Sequence, residues 1–303
     1  MRRGLLVVLS FLLLVGCGPS KVDAQPSVVS TPTPTPTPTP MPSLQATPTP
    51  TPTRTVPTPR QVVPKPRKTA RVLQSNKLYA AGKVGAVPCP LPEDWLSTQA
   101  DVTRYARRVL ACLDQAWAPV VKRASFRFRP PVLHIFKGTV ETPCADSSAD
   151  AFYCEDGHGI YLDWTTDGQV PSMAQVDAEM DLLYTMAHEY GHHLQNLTSI
   201  EAYYDSHLDG KKRAAQLEDS RRLELQADCF AAVFLKGNQQ TLNLTGSRYW
   251  ALDLGSHGDE YRKRGEPRDH GSATNNARWT LDAFTSGDLA SCNTWTAPAE
   301  YVS

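Results

Sequence analysis

The run His188-Glu189-Tyr190-Gly191-His192 constrains this chain more tightly than any other stretch of it. Two histidines four residues apart lie on one face of a helix, so both imidazoles can reach a single ion while Glu189 projects beside that ion's open coordination position. The flanks are helical in pattern. From Gln175 to Leu197, Met180, Leu183, Tyr184, Ala187, Gly191 and Leu194 recur at three- and four-residue steps. Asp177, Glu179 and Asp181 occupy the first turns, where the helix dipole favours anions. Two imidazoles with a neighbouring carboxylate at this spacing suit a hydrolytic zinc centre. The competing reading is a polar stripe on a surface helix.

A catalytic zinc ion takes three protein ligands and keeps one position for water, so a third ligand must come from elsewhere. The extended form of the motif would need glycine at position 195 and histidine at 198. This chain has Gln195 and Thr198, which excludes the metzincin branch. His193 is rotated about 100° around the helix from His192 and cannot face the same ion, so it reads as a supporting or solvent-facing residue. Glu224, in Glu224-Leu225-Gln226-Ala227-Asp228, is the better candidate. Leu223, Ala227, Phe230, Ala231 and Phe234 give that segment a helical apolar face, and Glu224 and Asp228, four apart, look the same way from it. The alternative is a solvated acidic helix edge. This E-x-x-x-D resembles the glutamate zincins, where the glutamate binds zinc and the aspartate holds a ligating histidine from behind. That implies Asp228 as the residue behind His188, because metal-bound imidazoles donate their other N–H to such a partner.

The likeness extends further. Ala187 to Gln195, followed by Glu224 to Ala231, resembles the bacterial family called putative neutral zinc metallopeptidases. Phe152-Tyr153-Cys154 leading to Ile160-Tyr161-Leu162-Asp163 is similar to the segment before that family's metal helix. His270-Gly271-Ser272 through Arg278-Trp279 to Ser286-Gly287-Asp288 is similar to its C-terminal signature. The likeness runs in order over roughly residues 130 to 295; Ala273 to Ala277 and Ser256 to Pro267 depart from it. It implies an α+β zincin-like domain with one catalytic Zn2+ held by His188, His192 and Glu224. Glu189 would act as general base toward a peptide substrate, and His270 would hydrogen-bond a developing oxyanion. Tyr190 and Tyr261 are weaker candidates for that last role.

The N-terminus bears on location. Arg2 and Arg3 precede an apolar run from Leu5 to Val15, short of the about 20 residues of a membrane span, and it reads as a signal peptide over 1–16. Leu14-Val15-Gly16-Cys17 looks like a lipobox, so Cys17 is the expected lipidation site and the membrane the expected anchor. Residues 17–83 then read as a linker. Thr-Pro dipeptides repeat from Thr31 to Pro40 and from Thr47 to Pro52, a composition that cannot bury enough surface to offset its ordering entropy. The basic cluster Arg60, Lys65, Arg67, Lys68 and Arg71 could touch anionic lipid, and is otherwise a solvated run.

Seven cysteines fit an extracytoplasmic protein. With Cys17 lipidated, six remain, and sequence alone leaves about fifteen connectivities open. The preferred pairing is Cys89 with Cys112, Cys144 with Cys154, and Cys229 with Cys292: the first two are local, and the third ties the metal-bearing segment to the tail. The span 84–303 is long enough for one domain with a sizeable core. A helix is expected from Gln99 to Ala118, ended by Pro119, and strands at Val132 to Phe136 and Ile160 to Trp164, the latter beside the cleft.

Thirty-one basic and 31 acidic residues give no net field to draw nucleic acid. Two function classes remain: a lipid-anchored zinc peptidase, or a non-catalytic exported protein using zinc as a structural clip for interaction or assembly. Glu189 separates them, because a structural site has no use for a carboxylate there.

Overall fold

The computed structural model describes residues 71–303, apart from 94, 146, 148, 166–174, 209, 256, 262–266 and the side chain of Tyr261. The expected signal peptide, the lipidation site Cys17 and the Thr/Pro-rich stretch lie outside the described residues. In chain order the described elements are α1 (Arg71–Gln74), α2 (Gln99–Arg123), β1 (Val132–Phe136), β2 (Ala151–Cys154), β3 (Gly159–Asp163), α3 (Gln175–Leu197), α4 (Ile200–Ser206), α5 (Arg213–Gly237), α6 (Ser247–Ala251) and α7 (Ala273–Ser286). Short 3-10 turns lie between them, including Lys77–Ala80 and Leu289–Cys292. The architecture is α+β. Helix α5 packs between α3 and α7, and α2 covers the other flank of α3.

Helix α2 opens on a capping box: the Asp101 N–H donates to the Thr98 hydroxyl, and the Thr98 N–H donates to the Asp101 carboxylate. The helix does not stop at Pro119 as expected but runs on to Arg123. The proline forfeits one backbone hydrogen bond, and burial of Val120 and Val121, both fully enclosed in the core, offsets that loss.

The sheet order is β1-β3-β2, with β1 parallel and β2 antiparallel to β3. All five residues of β3 are buried. The strand expected beside the cleft is therefore the central one, paired on both sides, and the sheet edge that packs on α3 is β2. Ile160 and Leu162 feed the main core, whereas Tyr161, Phe136 and Phe152 form a small aromatic cluster on the opposite face.

Among the described residues, folded structure is already present at Arg71, ahead of the expected boundary of Val84. Leu78 is fully buried and Tyr79 nearly so, and the Asn76 amide donates to the carbonyls of Val72 and Thr198. This short segment has enough apolar content to dock, although its few residues give no periodicity. Disulfides join Cys89 to Cys112, Cys144 to Cys154 and Cys229 to Cys292, the preferred pairing. Three such bridges point to an oxidising, extracytoplasmic compartment. Among the described residues no helix is long and apolar enough to cross a membrane.

One contact fixes the spacing of the two central helices. At Gly191 of α3 an added Cβ would lie 2.8 Å from the Cα and carbonyl oxygen of Ala227 in α5, so the backbones meet there without a side chain between them.

Candidate metal centre

His188 and His192 project from one face of α3 and Glu224 from the facing side of α5. Their ligating atoms form one cluster. Glu224 Oε2 is 3.3 Å from His188 Nε2 and 3.2 Å from His192 Nε2, and the two Nε2 atoms are 3.1 Å apart. Neither histidine is part of a solvated stripe, and Glu224 is no solvated edge: all three turn into the space between the helices.

The rear side of each ring is committed. His188 Nδ1 lies 2.6 Å from Asp228 Oδ1. Asp228 is ionised: burial opposes its charge, but His188 and the Tyr184 hydroxyl hold its carboxyl below the usual range. An ionised carboxylate only accepts, so His188 Nδ1 carries the hydrogen. The Tyr184 hydroxyl donates to Asp228 Oδ1 at 2.8 Å and the Asn276 amide of α7 to Oδ2 at 2.5 Å, which aims the carboxylate. Behind His192, Nδ1 is 2.9 Å from the Gln195 carbonyl oxygen. Both Nε2 atoms therefore face the Glu224 oxygen.

Three electron-rich atoms converging in this way need positive charge among them. A tetrahedral zinc ion with bonds of about 2.0–2.1 Å separates its ligand atoms by roughly 3.3 Å. The three distances match, and two imidazoles with one carboxylate are a hydrolytic zinc donor set. Proton affinities report the same demand. Burial alone would strip charge from His188, yet the carboxylates of Asp228, Glu224 and Glu189 hold it well above its ordinary value. His192 is likewise buried and is held at about 9 by Glu224 and Glu189. Glu224, despite burial, is held well below the carboxylate range by His192, His270 and His188. A bound divalent cation would take the place of those protons.

Glu189, 7% exposed, points into the same region; burial raises its carboxyl, and His188 and His192 oppose that rise. His270 stands just before α7 with Nε2 3.5 Å from Glu224 Oε2. Its Nδ1 is 2.8 Å from Asp269 Oδ1, and its backbone N–H donates to Asp259 Oδ1 at 3.1 Å. The structure thus brings His188, Glu189, His192, Glu224, Asp228 and His270 to one place.

Three other residues sit elsewhere. Tyr190 is buried on the far side of α3, its hydroxyl donating to Asp114 at 2.8 Å, and takes no part at the centre. His193 is not solvent-facing. It is fully buried, with Nε2 2.8 Å from the Arg129 carbonyl and Nδ1 3.1 Å from the Tyr153 hydroxyl, and so fastens α3 to β2. Glu179, read as a dipole anion, is enclosed and paired with Arg248 at 2.8 Å.

Sequence reasoning missed Tyr184, Gln195, Asn276 and Asp269. Tyr184 precedes His188 by one helical turn and Gln195 follows His192 by three residues, so a same-face test of α3 finds both. Asp269 adjoins His270 in sequence. Asn276 carries no local signal, since its position depends on how α7 folds back on α5.

Among curated relatives, the uncharacterized protein YpfJ of Escherichia coli is 28% identical over 206 residues, covering 64% of this chain and 72% of that protein. The uncharacterized protein Rv2575 of Mycobacterium tuberculosis is 29% identical over 231 residues, covering 66% of this chain and 74% of its own length. No solved structure matches the chain significantly. The family model described as "putative neutral zinc metallopeptidase" matches residues 93–295, and with its His-His-Glu cluster the chain belongs to that family.

Proposed function

We propose that this chain hydrolyses peptide bonds at a single zinc ion held by His188, His192 and Glu224, outside the cytoplasmic membrane and anchored through lipid on Cys17. The observation that carries the reading is a buried carboxylate, Glu189, set beside a complete three-donor cluster without being one of its ligands. Zinc in such a site supplies water acidified toward a pKa of about 7 and polarises a carbonyl.

The protein's own groups divide the remaining work. Glu189, its proton affinity raised by burial, accepts the proton of the attacking water and passes it to the departing amine. His270, aimed by Asp269, donates a hydrogen bond to the carbonyl oxygen as charge develops on it. Asp228 and its donors Tyr184 and Asn276 keep His188 from turning. An extended peptide can pair along β2, the sheet edge against α3, and so present its backbone beside the metal helix. A structural clip would have no use for Glu189.

Glu189→Gln tests this. The variant should keep wild-type zinc content and melting behaviour while peptide cleavage falls by about 10²–10⁴-fold, the usual contribution of a positioned base. Cleavage unchanged in Glu189→Gln, or a zinc-loaded wild-type protein that cuts no member of a broad peptide library, overturns the reading.

A further inference from the structure

The two histidines of the cluster are held by different chemistry. His188 is backed by a carboxylate, but His192 is backed by an amide, and that amide belongs to a chain of fully committed side chains. Gln195 Nε2 donates to the Leu223 carbonyl at 2.7 Å, which leaves Oε1 to accept from His192 Nδ1. The same Nε2 reaches Gln226 Oε1 at 3.3 Å. Gln226 cannot turn over either, because its Nε2 donates to the Tyr79 hydroxyl at 2.8 Å and to the Cys292 carbonyl at 2.9 Å, while Trp295 Nε1 donates to its Oε1 at 3.4 Å. Tyr79 in turn donates to the Leu73 carbonyl at 2.8 Å. Gln195 and Gln226 are fully buried, out of reach of bulk solvent, so losing a partner leaves a polar group unsatisfied.

We infer that Gln195 is the positioning residue for His192, and that the chain from Gln195 through Gln226 to Tyr79 couples the metal-binding geometry to the docking of residues 73–79 and of the tail turn bridged by Cys229–Cys292. Every donor points the same way, from His192 Nδ1 to the Leu73 carbonyl, so each bond polarises the next. A flipped amide anywhere along it would set two acceptors or two donors face to face in a dry interior. The arrangement gives the two ligands unequal basicity. The charged Asp228 pushes electron density into His188, whereas the neutral Gln195 holds the direction of His192 without that push. It also gives the N-terminal turn, far along the sequence from the motif, a role at the centre: Tyr79 sets Gln226, Gln226 sets Gln195, and Gln195 sets the ring.

This inference rests on the reading of the cluster as a zinc site, and the test separates the two. Zinc dissociation constants are measured on the full chain by competition with a chromophoric chelator, with the visible spectrum of the Co2+-substituted protein as a second readout. Wild type that binds neither ion refutes the zinc reading itself. Given wild-type binding, Gln195→Leu should weaken zinc by about ten- to a hundred-fold and move the Co2+ bands, as loss of a supporting partner does. Gln195→Glu keeps an acceptor for the Nδ1 hydrogen but sets its second oxygen against the Leu223 carbonyl and Gln226 Oε1, so zinc should weaken there as well, and wild-type affinity in it would overturn the claim that the amide's donors hold the chain together. Tyr79→Phe deletes one hydroxyl and touches no ligand; it should weaken zinc severalfold while the protein stays folded by circular dichroism. Wild-type affinity and spectrum in Gln195→Leu would overturn the positioning role. Wild-type affinity in Tyr79→Phe would overturn the coupling, and that variant decides the matter should Gln195→Leu fail to fold.

Discussion

Gly191→Ala offers the sharpest test of what holds the centre together, because helix propensity and packing pull the variant in opposite directions. In an isolated helix the change is favourable by about 1 kcal/mol, since glycine costs more backbone entropy. In this fold the new Cβ would lie 2.8 Å from the Ala227 Cα and carbonyl oxygen, where an ordinary contact starts at 3.4 Å, so α3 and α5 must separate by about 0.6 Å. The opposing atoms are backbone and cannot swing aside. Overpacking of this kind costs about 1–3 kcal/mol, which leaves a net loss on the order of 1 kcal/mol and a melting temperature lower by about 2–4 °C for a domain of this size. The larger effect falls on the metal. His188 and His192 ride on α3 and Glu224 on α5, and zinc tolerates about 0.2 Å of error in its bonds, so a separation three times larger should weaken zinc by at least tenfold. Calorimetric melting of the apo and zinc-loaded forms, with chelator competition for affinity, measures both effects. A variant that melts higher than wild type in the apo form and binds zinc equally well would refute the idea that backbone contact at Gly191 sets the ligand spacing.

Two further outcomes follow from the surrounding residues. Asp228→Asn removes the charge behind His188 while keeping the size of the side chain; zinc affinity should fall by about ten- to a hundred-fold, and an unchanged chelator titration would mean that the charge of Asp228 does not support the ring. His193 is enclosed and burial pushes its proton affinity down to about 4, below the unfolded value of about 6.5, so the unfolded chain takes up the extra proton between those limits. Its contribution to stability is therefore complete above about pH 6.5 and is lost as the pH falls toward 4, on the order of 3 kcal/mol in all. Denaturant titrations of the apoprotein at several pH values should give a shallower acid slope for His193→Gln than for wild type, and identical slopes would argue against a neutral, buried His193.

What the sequence discloses and what it withholds divide along a physical line. Helix α3 was legible to its ends because a long amphipathic pattern, dipole-favoured acids and a metal motif all agree on the same residues. The Glu224 and Asp228 pair was legible because it lies one turn apart on a single helix face, and the disulfides because two of them close short loops. Readings that required knowing what a segment packs against went astray. Pro119 ends helices in general, but Val120 and Val121 behind it are buried deeply enough to carry α2 onward. The strand at 159–163 reads as apolar and buried, which says nothing about its neighbours; pairing on both edges makes it the central strand and leaves β2 as the sheet edge that packs on α3.

The centre divides into residues that carry the chemistry and residues that aim them. The residues that carry the chemistry lie on two helices, where periodicity shows which side chains share a face. Those that aim them come partly from chain far away in sequence: Asn276 on α7 directs Asp228, and Tyr79, ahead of α2, steers Gln226. Without the groups behind them, Asp228 and Gln195, the two rings would be free to turn about their own axes. Asp228 is gripped by three partners and Gln195 is locked between a backbone carbonyl and a second amide, so the protein's own hydrogen bonds fix the direction of both rings. Affinity for the cation should therefore track the integrity of these distant supports as well as that of the three ligands.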